Sequence, residues 1–290
     1  MKFWLPALAS LALTAPLAAQ SAIARSLPAD SEASIRIFNL TGSTSIIGWD
    51  RDSVRVTGRL PAGGGRFYMG GSRSGMKLGI ESPADQLDSV PVPLEIRVPR
   101  RARVWVKSAS ASVTVSGVRG ELDLSTVGGR IQVSGAPRVI TAETMDGALS
   151  IDADAPVMRL KSADGAIVVT AGGGDLTVAS VTGAITIRST RPLLSGRVES
   201  VTGRVTFQGA VRTDGALDVQ THEAPITLQF PADQDATVDI VAFSGKVVSG
   251  FPGAARSAPK GQSVHYTLGA GGARITARSL KGGVTVNRLE

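Results

Sequence analysis

A glycine followed by alternating apolar residues recurs along this chain at a nearly fixed step. That recurrence constrains the fold more than any other feature. The glycine falls at Gly129, Gly147, Gly165 and Gly183, each 18 residues apart, and continues at Gly203, Gly245 and Gly282. Ala111 and Ala224 hold the same slot in two further copies. The step widens to 20 or 21 after Gly183, and the last interval, 37, carries an insertion. Taking the slot as zero, offsets minus seven, minus five, minus two, plus two and plus four are apolar in 42 of 45 instances over nine copies, the exceptions being Gly196, His222 and Ser249. The offsets between them (minus six, minus four, plus one and plus three) are apolar in only 8 of 36. In the copy at Gly129 the five apolar residues are Leu122, Leu124, Val127, Ile131 and Val133.

Within each half-copy the period is two, that of a strand whose alternate side chains enter a core. Helical spacing is absent. Each copy reads as strand, arc, strand, arc, with the five apolar offsets facing inward. A sandwich seldom keeps one pattern at a constant step. Stacked coils require it, because each coil lies about 4.8 Å from the next and every offset becomes a ladder. The expected fold is all-β: a single-chain β-solenoid, right-handed and parallel, of about nine coils of 18–21 residues with an N-terminal β cap. The expected organisation is a leader over 1–22, the cap over 23–100, and the solenoid over 101–290 with a loop insertion near 250–263. Residues 25–100 do not follow the repeat, but they hold strand-like runs at 34–38, 54–57 and 94–98 and a Gly-rich loop from Gly63 to Gly75.

The other offsets support stacking. Minus three reads Ser108, Thr126, Thr144, Ser162, Ser180, Ser200, Thr221, Ala242 and Ser279. A small hydroxyl at a tight arc can satisfy a backbone group that the turn leaves unpaired. The glycine at zero is expected to supply a positive φ. Plus three is rich in Thr (Thr114, Thr186, Thr206, Thr227, Thr285), which suits an exposed strand face. Glu143 and Lys161, at one offset in adjacent coils, are expected to form a cross-coil ion pair.

Composition narrows the function. The chain has 290 residues, no Cys, two His, and 31 basic against 24 acidic residues, a net charge of +7. Without Cys there is no disulfide framework, Cys zinc site, thiol nucleophile or lipidated cysteine. Two His make a His-based metal centre an unsuitable reading. Lys2, the apolar run from Phe3 to Ala19 and the small residues Ala18 to Ala24 form a secretory leader pattern with cleavage between 19 and 24. No later stretch is long and apolar enough to span a bilayer. The mature chain is expected to be exported to the periplasm, outer surface or medium, in a bacterial envelope setting.

With the repeat established, Phe38-Asn39-Leu40-Thr41-Gly42, Gly48-Trp49-Asp50-Arg51-Asp52 and Val54-Arg55-Val56 resemble the start of a family of exported bacterial β-solenoid domains labelled "putative adhesin". Pro93 to Pro99, then Val104-Trp105-Val106 and the first coils, are similar to its middle. The likeness covers roughly residues 33–290 and its motifs are structural. It implies the solenoid fold and surface residence, and it brings no catalytic residues or cofactor. Ala111 departs from the expected arc glycine.

Several residues suggest chemistry. Asp146 and Asp164 share offset minus one in adjacent coils, where stacking would bring two carboxylates together as a glycosidase or cation site needs. Asp-Gly turn chemistry accounts for them without such a site. Gly172-Gly173-Gly174-Asp175 has the wrong spacing for a calcium-binding repeat and reads as a turn. His222, at an expected inward offset beside Glu223, reads as a polar residue filling an imperfect coil. Ser257-Ala258-Pro259-Lys260 matches a Ser-x-x-Lys string without its companion motifs. Asn39-Leu40-Thr41 is a formal glycosylation sequon that reads as a strand end. Arg100, Arg101, Arg103, Trp105 and Lys107 cluster where the stack begins and form the candidate binding surface, with anionic polysaccharide or another cell-surface component as its partner. No nucleic-acid motif is present and no nucleic-acid partner is expected.

The function expected from these residues is non-catalytic, without cofactor or metal: an exported envelope solenoid acting as adhesin or binding scaffold. Two alternatives stand beside it. One is a periplasmic structural or signalling scaffold with a protein partner. The other is a polysaccharide-active β-helix enzyme, for which Asp146 and Asp164 are the seed.

Overall fold

The computed structural model describes residues 21–81, 90–251, 257–258 and 263–289. All of their regular structure is strand, arranged as two long, mostly parallel sheets of 14 and 13 strands. Among the described residues no helix is long and apolar enough to cross a membrane. The expected leader lies outside the described residues as far as Gln20. Ser21 and Ala22, the last residues of the expected leader, open the strand Ser21–Pro28 and pair with Leu60 and Arg59.

Through the middle of the chain the sequence pattern becomes coil geometry. Glu121–Thr126 lies in parallel between Arg103–Lys107 and Val139–Thr144, with Leu122 beside Val104 and Ile140. Opposite it, Ile131–Gly135 lies between Ser112–Ser116 and Leu149–Ala153, with Ile131 beside Val113 and Leu149. Offsets minus seven, minus five, plus two and plus four form four buried columns between the sheets. Each fully buried Val, Leu or Ile contributes about 1.5–3 kcal/mol relative to exposure, so the columns are the main stabilising element of each coil. At Gly196 a column lacks its side chain. A Cβ there would meet Leu193 Cδ2 at 2.6 Å and Leu217 Cδ1 at 2.7 Å, so these two leucines fill the slot. Ser249 is buried and bonded to the Tyr266 hydroxyl at 3.3 Å.

Two expectations are corrected by the arcs. The arc glycines do not supply positive φ, and none of Gly129, Gly147, Gly165, Gly183 and Gly203 is among the positive-φ residues. Their role is close approach. A Cβ on Gly147 would press on the Gly129 carbonyl oxygen, and one on Gly165 on that of Gly147, in both cases well under 3.0 Å. The second correction concerns offset minus two, which faces solvent. Val127, Met145, Val181 and Val201 are 49%, 56%, 46% and 42% exposed. Where the chain turns from one sheet to the other, strand alternation lapses. The hydroxyl at minus three and the glycine at zero turn inward, and the two residues between them lie on the outside of the bend.

The minus-three hydroxyls perform the expected local work. Thr144 Oγ1 accepts from Gly147 N at 3.0 Å and donates to the Val127 carbonyl at 3.1 Å. Thr126 does the same with Gly129 N and the Ala109 carbonyl. The Glu143–Lys161 pair is present at 3.5 Å.

The two sheets also continue across residue 100. Ser34–Phe38 is inserted between Gly75–Glu81 and Arg103–Lys107, and Gly42–Trp49 between Val92–Pro99 and Ser112–Ser116. The expectation that residues 25–100 do not follow the repeat is thus corrected for one coil, in which Ile35, Ile37 and Ile46 align with the inward offsets minus seven, minus five and plus four and Gly42 holds the zero slot. At the other end Ala273–Ser279 enters between Val211–Thr221 and Ala236–Ala242, and Val284–Arg288 between Ile226–Phe230 and Val247–Ser249. The stacking order is therefore Ala224, Gly282, Gly245, as the contacts facing these glycines confirm. Antiparallel strands cover the outer coils: Ser53–Leu60, Ser21–Pro28 and Arg66–Gly71 at one end, Ser263–Leu268 and Ser257–Ala258 at the other. Part of the expected insertion, 252–256 and 259–262, lies outside the described residues.

Candidate functional site

The second set of arcs, on the opposite side of the coils from the glycines, builds the basic site. Arg100 N donates to the Trp49 carbonyl, Arg119 N to that of Arg100, and Arg138 N to those of Arg119 and Gly120. Three arginines therefore occupy successive rungs of one backbone ladder, although their sequence spacing is 19 rather than 18. Arg101 and Arg103 flank the first rung. Together with Glu32 and Asp50 these five arginines and Gly120 line a cleft of about 400 Å³.

Carboxylates partly neutralise it. Arg100 Nε donates to Asp50 Oδ1 at 2.6 Å, Arg101 pairs with Glu32, and Arg138 pairs with Glu121. The Arg100 hydrogen bond holds the Asp50 carboxyl below its ordinary pKa, with the Arg119 charge adding to the effect, and the same bond raises Arg100. Among the described residues Arg103 and Arg119 have no carboxylate within ion-pair distance. The cleft thus combines three guanidiniums in direct ion pairs with two that make none among the described residues. Planar guanidinium forks suit carboxylate, sulfate and phosphate groups.

The five-residue surface expected from the sequence divides in two. Arg100, Arg101 and Arg103 line the cleft. Trp105 and Lys107 stand on the outer face of the 13-strand sheet. There Phe38 meets Trp105 edge-on at 5.2 Å, and the ammonium groups of Lys107 and Lys77 lie 5.3 and 4.8 Å from the Trp105 and Phe38 rings. Arg119 and Arg138 were missed because each stands alone in the sequence. Their spacing of 19 was the available signal.

Asp146 and Asp164 are exposed on adjacent rungs. Thr182, one rung further, donates to Asp164 Oδ1 at 2.7 Å. Among the described residues no group of three or more His, Asp or Glu is placed to hold a metal ion. His222 is exposed rather than inward, 3.7 Å from Glu223, which pairs with Lys281. Gly173 and Gly174 have φ of +90° and +99° and form a turn. Asn39 is buried and donates to Thr44 Oγ1 and the Val92 carbonyl, so it bridges two coils and its amide is withheld from modification in the folded chain. Lys260 of the Ser-x-x-Lys string lies outside the described residues.

No protein-family model matches the chain, and no curated protein matches it. Solved structures do. A crystal structure described as a putative adhesin from Parabacteroides merdae covers 93% of this chain and 96% of its own, at 10% identity and a TM-score of 0.50. Another, a putative adhesin from Bacteroides fragilis, covers 94% and 99%, at 11% identity and a TM-score of 0.41. The likeness to putative adhesins expected from the residues is thus found at the level of fold.

Proposed function

We propose that this chain is an exported, non-catalytic, adhesin-like envelope protein whose arginine cleft binds anionic surface polysaccharide. The observation that carries the reading is the convergence of Arg100, Arg101, Arg103, Arg119 and Arg138 on one cleft, with Arg103 and Arg119, among the described residues, outside any direct ion pair. A rigid stack holds them at fixed spacing, so a polymer with regularly placed charges meets pre-ordered donors. The fold shared with putative adhesins and the leader pattern at residues 1–22 support surface residence.

The test is binding of the full chain to polygalacturonate and to a sulfated glycan over a salt series. The Arg103→Ala/Arg119→Ala double variant should weaken binding at least about tenfold and flatten the salt dependence. Absence of binding to both polymers at low salt would sink the reading. Protease accessibility on intact against lysed cells separates outer-surface from periplasmic residence.

A further inference from the structure

The solvent-facing residues at minus two form a continuous feature. Backbone hydrogen bonds run coil to coil along this arc, from Leu40 through Ala109, Val127, Met145, Ala163, Val181, Val201 and His222 to Leu280 and Phe243. Seven of the eleven exposed large apolar residues among the described residues lie on this one line: Leu40, Val127, Met145, Val181, Val201, Leu280 and Phe243. Singly exposed apolar residues need no explanation, but a contiguous stripe marks an interaction face.

We infer that this ladder is the face of a two-fold homodimer, two copies lying antiparallel along their arcs. Three observations fit a second copy. The first is period. Rungs about 4.8 Å apart find a matching comb in another ladder of the same rise, and an identical chain has one. The second is shape. Beside the ladder runs a groove of about 530 Å³, walled by Val181, Val201 and His222 and opposite them by Ala179 and Glu199. A two-fold axis between the Ala163 and Val181 rungs puts Met145 of one copy opposite Val201 of the other, at the mouth of that groove. Met145 is 56% exposed and has a long adaptable side chain, so it can fill an irregular hollow. The same register sets Ala163 against Val181 and Ala109 against Leu280, small against large. At the neighbouring offset, Asp146 then faces Thr202, Asp164 faces Thr182 and Ser110 faces Lys281, so no like charges meet there.

The third observation is size. Ten rungs span roughly 43 Å at that rise, and two sheets about 10 Å apart with their side chains make the arc roughly 20 Å wide. That gives roughly 860 Å² per partner, against about 800 Å² in a standard stable interface. The inference does not depend on the arginine cleft, which lies on the opposite arc.

Sedimentation velocity of the full chain over a concentration series tests it. A monomer–dimer equilibrium is expected. Met145→Asp and Val181→Asp should each raise its dissociation constant at least about 30-fold, the size of a hot-spot loss. Val168→Asp, at an equally exposed valine on a sheet face, should leave it unchanged. Circular dichroism and the melting temperature establish that each variant folds, and Met145→Ala replaces Met145→Asp if that one does not. Because the chain has no Cys, mixing Ala163→Cys with Val181→Cys protein should give a disulfide-linked heterodimer under oxidation. A monomer at every concentration, or a dimer indifferent to both ladder variants, overturns the inference. So does a monomer drawn onto phosphatidylcholine vesicles through the same rungs, which would assign the ladder to a lipid surface.

Discussion

The two arcs of each coil obey different rules. On the glycine side every connection from 108–111 to 280–283 is four residues long, whatever the sequence between. On the opposite side the connections run from two residues at 209–210 to five at 231–235. Both arcs make one reversal per coil, so reversal alone does not impose constancy. The glycine side is constrained because a backbone carbonyl of one coil lies where a Cβ of the next would stand, and a buried hydroxyl bonds across the arc at the same point. On the opposite side that contact is sporadic, at Gly120 against the Ala102 carbonyl, Gly174 against that of Pro156 and Gly209 against that of Ser189, and it does not recur at one position coil after coil. There length drifts and charged residues collect, and the arginine cleft forms there.

Insertion should separate the arcs most sharply. Two glycines added between Gly128 and Gly129 displace the Thr126–Gly129 bond and every inward offset after it, at an expected cost above about 4 kcal/mol. The same two between Arg191 and Pro192 lengthen an exposed connection and should cost under about 1 kcal/mol. Urea unfolding of both variants reads the difference, and equal losses would refute the asymmetry. Next in size, Gly165→Val forces a branched side chain against the Gly147 carbonyl. It should lower stability by about 3 kcal/mol, the upper end for overpacking, because backbone cannot yield as a side chain can. Thr144→Val removes the partner of Gly147 N and one of three donors to the Val127 carbonyl, which keeps Met145 N and Asp146 N. A loss of about 1–3 kcal/mol is expected in thermal unfolding, and a change near zero would show that the hydroxyl ladder is dispensable.

The smallest effect lies on the sheet face. Burial, and then the Glu143 charge, raise the Asp123 carboxyl above its ordinary pKa, against a smaller opposing pull from Lys107. A carboxyl with a raised folded-state pKa binds its proton more readily folded than unfolded, so it disfavours folding at neutral pH. That penalty disappears as pH falls through the raised pKa towards the unfolded value. Asp123→Asn should therefore raise the melting temperature slightly at pH 7, with the gain vanishing in acid. A gain that persists in acid would show that its origin is not ionisation.

The four buried columns were legible because a period of two leaves no other way to hide Leu122, Leu124, Ile131 and Val133. The orientation of Val127 and Met145 was not, because hydrophobicity reports what a side chain is made of and not which side of a bend it occupies. The N-terminal coil escaped for a related reason. Its arc, Asn39-Leu40-Thr41-Gly42, keeps the glycine at slot zero, but Asn39 replaces the minus-three hydroxyl, Thr44 replaces the plus-two apolar residue, and Gly42 lies 69 residues ahead of Ala111, so the constant step does not reveal it. The arginine cleft was half legible. Arg100, Arg101 and Arg103 are adjacent in the chain, but Arg119 and Arg138 join them only through an arc whose length the repeat does not control.

In an ordinary solenoid each coil is laid on the one before, and an end frays by releasing a single layer. Here Ser34–Trp49 has later-made coils on both sides, and Ala273–Arg288 is wedged between two earlier ones. Withdrawing Ala273–Ser279 breaks its register with both Val211–Thr221 and Ala236–Ala242, seven partnered residues on one side and six on the other. Unravelling from that side must therefore open two layers at once, and the interposed segment acts as a bolt across the stack instead of its last loose turn.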